Sequence, residues 1–103
     1  MAVPERTSAQ RSAALARAQQ VRQRQAQVKQ MLKTGEISLA DVLARADRSD
    51  EIARLRVARV LESMPRVGPV TARRMMERLD IAASRRVGGL GPRQRDALLA
   101  EFA

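Results

Sequence analysis

Cysteine and histidine are absent from this chain, and Phe102 is its only aromatic residue. Without thiol or imidazole groups, disulfides, thiolate nucleophiles, zinc sites and imidazole acid–base chemistry are excluded, and a reducing cytoplasm is the expected setting. Without several rings, the stacking platform of modules that read single strands is missing, so a duplex gripped through its phosphates is the better fit. No run approaches the roughly 20 apolar residues of a membrane span. The opening MAVPERTSAQRSAALARAQQ also lacks the apolar stretch of a secretory signal. A soluble, intracellular protein with no membrane partner is expected. Acid is scarce as well: 20 Lys and Arg stand against 11 Asp and Glu, a formal charge of +9. Such an excess favours a polyanion as partner. At 103 residues the chain forms one small domain, or a domain with an arm, and leaves little room for a deep catalytic cleft.

What is present is helix-forming. Thr7 to Lys33 holds no Pro, Gly or acidic residue and carries Arg11, Arg17, Arg22, Arg24, Lys29 and Lys33 among alanines and glutamines. Thr7 with Gln10 reads as a capping box and Gly35 as a stop, which predicts a helix over 8–33. Its apolar positions Ala14, Val21, Val28, Met31 and Leu32 thicken toward the C-terminal end, where docking on a core is expected. One-sign charge suits a polyanion, whereas a merely solvated helix interleaves both signs. A membrane-surface helix lacks the bulky apolar stripe it needs. Residues 1–36 are therefore taken as a basic arm and helix, and residues 37–103 as a compact helical domain.

Ser38 with Asp41 predicts a second capped helix over 39–46. Ser49 or Asp50 then caps EIARLRVARVLESM, where Ile52, Leu55, Val60, Leu61 and Met64 recur at helical spacing and predict one continuous helix ended by Pro65. Arg54, Arg56 and Arg59 read as its solvated face. After the turn Pro65–Pro69, VTARRMMERLDI predicts a further helix whose methionines fill core gaps. The loop AASRRVGGLGP follows, with Pro92 as first residue of a last helix to about Glu101. No alternating β-branched run appears, so the fold class is all-α with five or six helices.

Two turns carry the candidate site. In MPRVGPVTARR a tight turn joins two helices in the manner of a helix-hairpin-helix. Gly68, expected at positive φ, lets the backbone approach a phosphate, and free N–H groups at Val70 and Thr71 point toward it. Pro69 has no N–H to give. Arg73 and Arg74 lie one turn on, and a purely structural connection is the alternative reading. In SRRVGGLGPR, Arg85 and Arg86 precede Gly88, Gly89 and Gly91, with Arg93 at the start of the following helix. Adjacent arginines beside a compact turn can span neighbouring phosphates or enter a groove. Arg17 and Arg24 of the first helix supply a further basic surface.

VLESMPRVGPVTARRMMERLDI and SRRVGGLGPRQRDALLAEF, supported by RQAQVKQMLKTGEISLADVLARA, resemble the actinobacterial integration host factors over nearly the whole chain. The resemblance implies a helix-two-turn-helix element, and a monomer in the nucleoid that binds double-stranded DNA with little sequence preference, bends it and influences its topology. It further implies a recombinase, integrase or topoisomerase acting on the same DNA, and no cofactor, metal or catalytic residue. Two positions depart from that family's usual pattern. Arg66 stands where glycine is common, so the turn is expected to use a φ compatible with a side chain, with Arg66 adding charge. Gly88 stands where another arginine is frequent.

Three classes compete. A DNA-architectural protein would use both turns and the first helix. An RNA- or ribosome-binding protein could use the same hairpin, and competition between duplex DNA and duplex RNA separates the two, because their grooves differ in width and depth. A base-excising enzyme would need an amine or carboxylate in a base pocket, and no acid–base constellation accompanies the turns.

Overall fold

The structure, a computed structural model, describes residues 7–103. Helix α1 runs Ser8–Thr34, 27 residues and so about 40 Å long. Its reciprocal cap is formed as expected: Gln10 donates its backbone N–H to Thr7 Oγ1 (3.1 Å), and Thr7 donates its own to Gln10 Oε1 (2.9 Å). At the other end Gly35 takes φ 79°, and the N–H of Glu36 reaches back to the Met31 carbonyl at 2.9 Å. That six-to-one bond is the Schellman closure, which needs a left-handed residue and so favours glycine. α2 (Leu39–Ala46) is boxed by Ser38 and Asp41 and buries Leu39, Val42 and Leu43.

The apolar repeat of residues 51–64 predicts one helix; the structure has two. α3 (Asp50–Ala53) and α4 (Val57–Glu62) are separated at Arg54–Arg56. There the backbone opens to φ −71° and ψ 137° at Arg56 and pairs with the distant loop. Val57 donates to the Arg85 carbonyl at 2.9 Å and Val87 to the Leu55 carbonyl at 2.8 Å, a single antiparallel bridge. Leu55 and Val57, two residues apart, both point inward, which is the period of an extended segment rather than of a helix. Bonds to the loop replace the helix's own, and the core keeps both side chains.

α5 (Pro69–Arg78), a 3-10 turn (Val87–Gly89) and α6 (Pro92–Glu101) complete the described residues, which hold six helices and no strand. α5 ends in a second Schellman closure, Ile81 N–H to Met76 O at 2.8 Å, with Asp80 in the left-handed position at φ 56°. One core joins every helix: Leu32 from α1, Val42 and Leu43 from α2, Val57, Val60 and Leu61 from and around α4, and Leu98 from α6 are among its most buried side chains, with Ile52 of α3 and Met76 of α5 beside them. Val28 and Leu32 put the last turns of α1 into this core, whereas Leu15 near its start is 64% exposed.

Candidate nucleic-acid interface

The Met64–Val67 turn closes through the Val67 N–H to the Met64 carbonyl at 3.2 Å. Pro65 at its second position and positive φ at its third mark a type II turn, and the residue at that third position is Arg66, at φ 64°. This corrects both conformational expectations for the hairpin. The left-handed residue is Arg66, the one expected to avoid it, and Gly68 sits in extended backbone at φ −93° and ψ 177°. Turn type decides the outcome: a type II turn needs positive φ at residue 66, whereas a type I turn closed by the same bond would keep it negative. Nothing within the chain requires glycine at 68, because a Cβ built there would meet nothing within 4 Å; the backbone simply lies open.

Gly68 is the N-cap of α5 and offers no side-chain cap, and Pro69 is the first helical residue. The N–H groups of Val70 and Thr71 therefore lie in the first turn, where no carbonyl precedes them to accept. Ala72, one residue on, already bonds the Gly68 carbonyl at 3.0 Å. Val70 is 49% exposed, and Arg66, Gly68, Pro69, Thr71, Arg73 and Arg74 are exposed around it. Donors and the positive helix end thus face open solvent, the arrangement that receives an anion. Arg73 turns toward the groove between α4 and α5, beside Glu62 and Glu77, so Arg74 is the freer of the two.

The second turn is organised differently. The Nη1 of Arg85 donates to the Gly89 carbonyl at 2.9 Å, and the Nη1 of Arg86 to the Arg54 carbonyl at 2.6 Å, where α3 has ended. Arg86 therefore also holds the bridge that splits the 51–64 segment. A structural role for these arginines was not legible from their spacing. Gly88 is required where it stands: a Cβ there would lie 2.9 Å from the Ala53 Cβ and 3.3 Å from the Ala53 carbonyl. Any side chain at this position would need Ala53 to move. Gly91 opens α6, its N–H taken by Gln94 Oε1 at 3.0 Å, and Gln94 Nε2 donates to the Asp80 carbonyl at 2.9 Å. Arg93 is exposed at the second position of α6. α5, 10 residues and so about 15 Å long, lies between the two turns along the chain.

Of the two arginines expected to contribute from α1, Arg17 is exposed and Arg24 is engaged. The Nε of Arg24 donates to Glu51 at 2.7 Å, and Gln25 Nε2 adds a bond to the Glu51 carbonyl at 2.8 Å, docking α1 on α3. The Arg24 guanidinium holds the Glu51 carboxyl below its usual range. Arg95 does the same to Asp47 with two bonds of 2.9 and 3.1 Å, and Arg78 pairs with Glu101. Among the described residues no cluster of acidic side chains could hold a metal ion, and no helix is long and apolar enough to cross a membrane.

The family described as an S13-like H2TH domain matches residues 32–102. The Integration host factors of Mycolicibacterium smegmatis and Mycobacterium tuberculosis are each 43% identical over 102 residues, 99% of this chain and 97% of theirs. This chain belongs to the actinobacterial integration host factor family. The Integration host factor of Streptomyces coelicolor is 45% identical over 102 residues, 99% of this chain and 95% of its own. A solved structure of sIHF bound to an 8 bp palindromic DNA superposes with a TM-score of 0.84 at 42% identity, covering 85% of this chain and 99% of that one. The overall fold is thus shared with that structure over 85% of this chain.

Proposed function

We propose that this chain is a nucleoid-associated architectural protein that binds double-stranded DNA through its phosphates with little sequence preference. The observation that carries the reading is the uncapped start of α5: Gly68, Val70 and Thr71 offer open backbone flanked by Arg66 and Arg74, with nothing shaped to read a base edge. The loop of Arg85, Arg86, Gly89 and Gly91, with Arg93, provides a second basic contact on the same body. Two contacts on one rigid body can bend a duplex, at an elastic cost that phosphate contacts offset. Bending would alter DNA topology and assist a recombinase, integrase or topoisomerase working on the same DNA, with the protein acting as a monomer. The sIHF structure bound to DNA and the integration host factor relatives support this reading.

The test is a gel shift with linear duplex DNA, the corresponding single strand and duplex RNA across a salt series. Duplex DNA should bind most tightly, with log K falling linearly as log salt rises. Replacing Arg85 and Arg86 together by alanine should reduce the magnitude of that slope by about 2, if each neutralises about one phosphate. Preference for duplex RNA would instead favour a ribosomal or RNA partner for the same hairpin.

A further inference from the structure

One flank of α1 has no part in the hairpin reading. At 100° per residue, its Gln27 and Met31 lie about 160° round the helix axis from Lys29 and Lys33. There α1, the end of α2 and the start of α3 line an open recess of about 490 Å³. Val28 and Ile52, each 6% exposed, form its floor, and Met31 is half-buried in its wall. Arg45, in the last turn of α2, and Arg48, just past it, stand exposed on the rim. Neither has an ion-pair partner among the described residues, since Asp47 between them is held by Arg95 with bonds of 2.9 and 3.1 Å. Arg24 and Glu51, also on the rim, satisfy each other. Three cations against one carboxylate give the recess a net charge of +2.

Floor and rim together select an occupant. An aliphatic side chain gains by leaving water for the apolar floor. A sugar-phosphate chain has no such group, so DNA would neutralise the rim and leave the floor wet. A wholly apolar partner would cover the floor but desolvate Arg45 and Arg48 without a counter-charge, which is costly. A polypeptide with carboxylates on both sides of one aliphatic residue meets both demands, because each guanidinium can grip a carboxylate through two parallel hydrogen bonds. Gln27 is exposed on the lip, where its amide can both donate to and accept from a peptide backbone. A recess of this size takes one large apolar side chain with the backbone on each side of it.

We propose that this recess between α1, α2 and α3 docks an acidic segment of a partner protein, a run of aspartate and glutamate set around one aliphatic residue. Arg45 and Arg48 pair with its carboxylates, and Val28, Met31 and Ile52 receive the aliphatic side chain. No residue lining the recess belongs to the hairpin or to the Arg85–Arg86 loop. A chain holding DNA at the start of α5 therefore keeps this surface free for a protein. That simultaneous hold rests on the hairpin reading, whereas the contact with the acidic segment does not.

The full-length chain tests this, with a synthetic peptide of one leucine flanked by acidic residues as the probe. Methyl-labelled methionines report the place by NMR: the Met31 signal should shift on adding peptide, while those of Met75 and Met76, buried on α5, should not. By fluorescence anisotropy, replacing the leucine of the peptide by serine should weaken binding about tenfold. Arg45→Gln with Arg48→Gln should weaken it by at least as much. The control Lys29→Gln with Lys33→Gln removes equal charge from the far flank of α1 and should keep the affinity within about twofold of wild type. Equal binding of the serine peptide, or equal loss in the control, overturns the site, since net charge alone would then be acting. Absence of peptide binding, or binding that leaves Met31 unmoved, overturns it as well. Saturating short duplex DNA should move the signal of Met64, which opens the hairpin turn, and leave the peptide at Met31. Displacement of the peptide by the duplex would make the recess a nucleic-acid surface and overturn the assignment to a protein. If the duplex leaves Met64 unmoved while Met31 still reports the peptide, the hairpin reading fails and the docking site stands.

Discussion

Arg66 holds a left-handed conformation at φ 64° in which its Cβ crowds the following carbonyl, at a cost of about 1–2 kcal/mol for an L-residue. Glycine escapes that crowding but loses roughly 0.5–1 kcal/mol through the greater freedom of its unfolded chain. Arg66→Gly is therefore expected to stabilise the domain by about 0.5–1 kcal/mol, a melting rise of a few degrees for a body this size. It also removes an exposed cation beside the start of α5, so duplex affinity at low salt should fall while stability rises. Thermal melts and gel shifts on one preparation measure both, and a variant that melts lower than wild type would show that Arg66 makes a compensating contact. Caps were legible at the residue scale because they are local: Thr7 with Gln10, Ser38 with Asp41 and Gly35 each act within a few residues. The signs of φ at Arg66 and Gly68 were not, since both residue types suggest the opposite assignment and only the closed turn decides. The clash awaiting a side chain at Gly88 depends on Ala53, which is 35 positions away, and no spacing in the sequence announces it.

Between elements, the ties are ion pairs over a shared core: α1 to α3 by Arg24–Glu51, α2 to α6 by Asp47–Arg95, α5 to α6 by Arg78–Glu101. In each pair the carboxyl is held below its ordinary range chiefly by hydrogen bonds from the arginine, and Asp41 is lowered by its bonds with Ser38. A carboxyl depressed on folding stabilises the protein above its unfolded pKa, and that contribution is lost as pH falls through the folded value. Stability should hence be flat from pH 8 to 6 and decline below about pH 5, where protonation begins in the unfolded chain. All these groups are exposed, so each contributes little and salt weakens it. Melts across this range check the sign, and stability that rises on acidification would contradict it. Helix positions were legible here from apolar period and caps, and the predicted bounds of α1, α2 and α6 match the structure to within one residue. The division of 51–64 into α3 and α4 escaped because nothing local breaks the helix. Arg54–Arg56 contains no proline or glycine, and the bonds that open it come from Val87 and the Arg85 carbonyl, about thirty residues on. Arg86 compounds this, since a side chain read as a phosphate contact also donates to the Arg54 carbonyl.

For the whole molecule, the extents of 56 × 30 × 26 Å describe a compact body from which α1 projects. The charge of α1 was legible in the sequence, but the engagement of Arg24 by Glu51 was not, since its partner lies 27 positions away. If the projecting half of α1 lies along the duplex beyond the hairpin, it sets how far the DNA follows the protein, while the body sets whether it binds. Deleting residues 1–20 separates these roles. The cut spares Arg22, the Arg24–Glu51 and Gln25–Glu51 ties, and the buried Val28 and Leu32, so the remaining chain should melt close to the full-length protein. It removes Arg6, Arg11, Arg17 and Glu5, taking the formal charge from +9 to +7 by the loss of three positive groups and one negative. With two exposed cations of α1, Arg11 and Arg17, lost, the salt slope should shrink by up to about 2. Circular-permutation gel shifts should show a smaller bend at saturating protein, because the contact along about one duplex turn is shortened to its inner half. A truncated chain that bends DNA as fully as the intact one, with its slope unchanged, would assign bending to the two turns of the helical body and leave the outer half of α1 without a part in it.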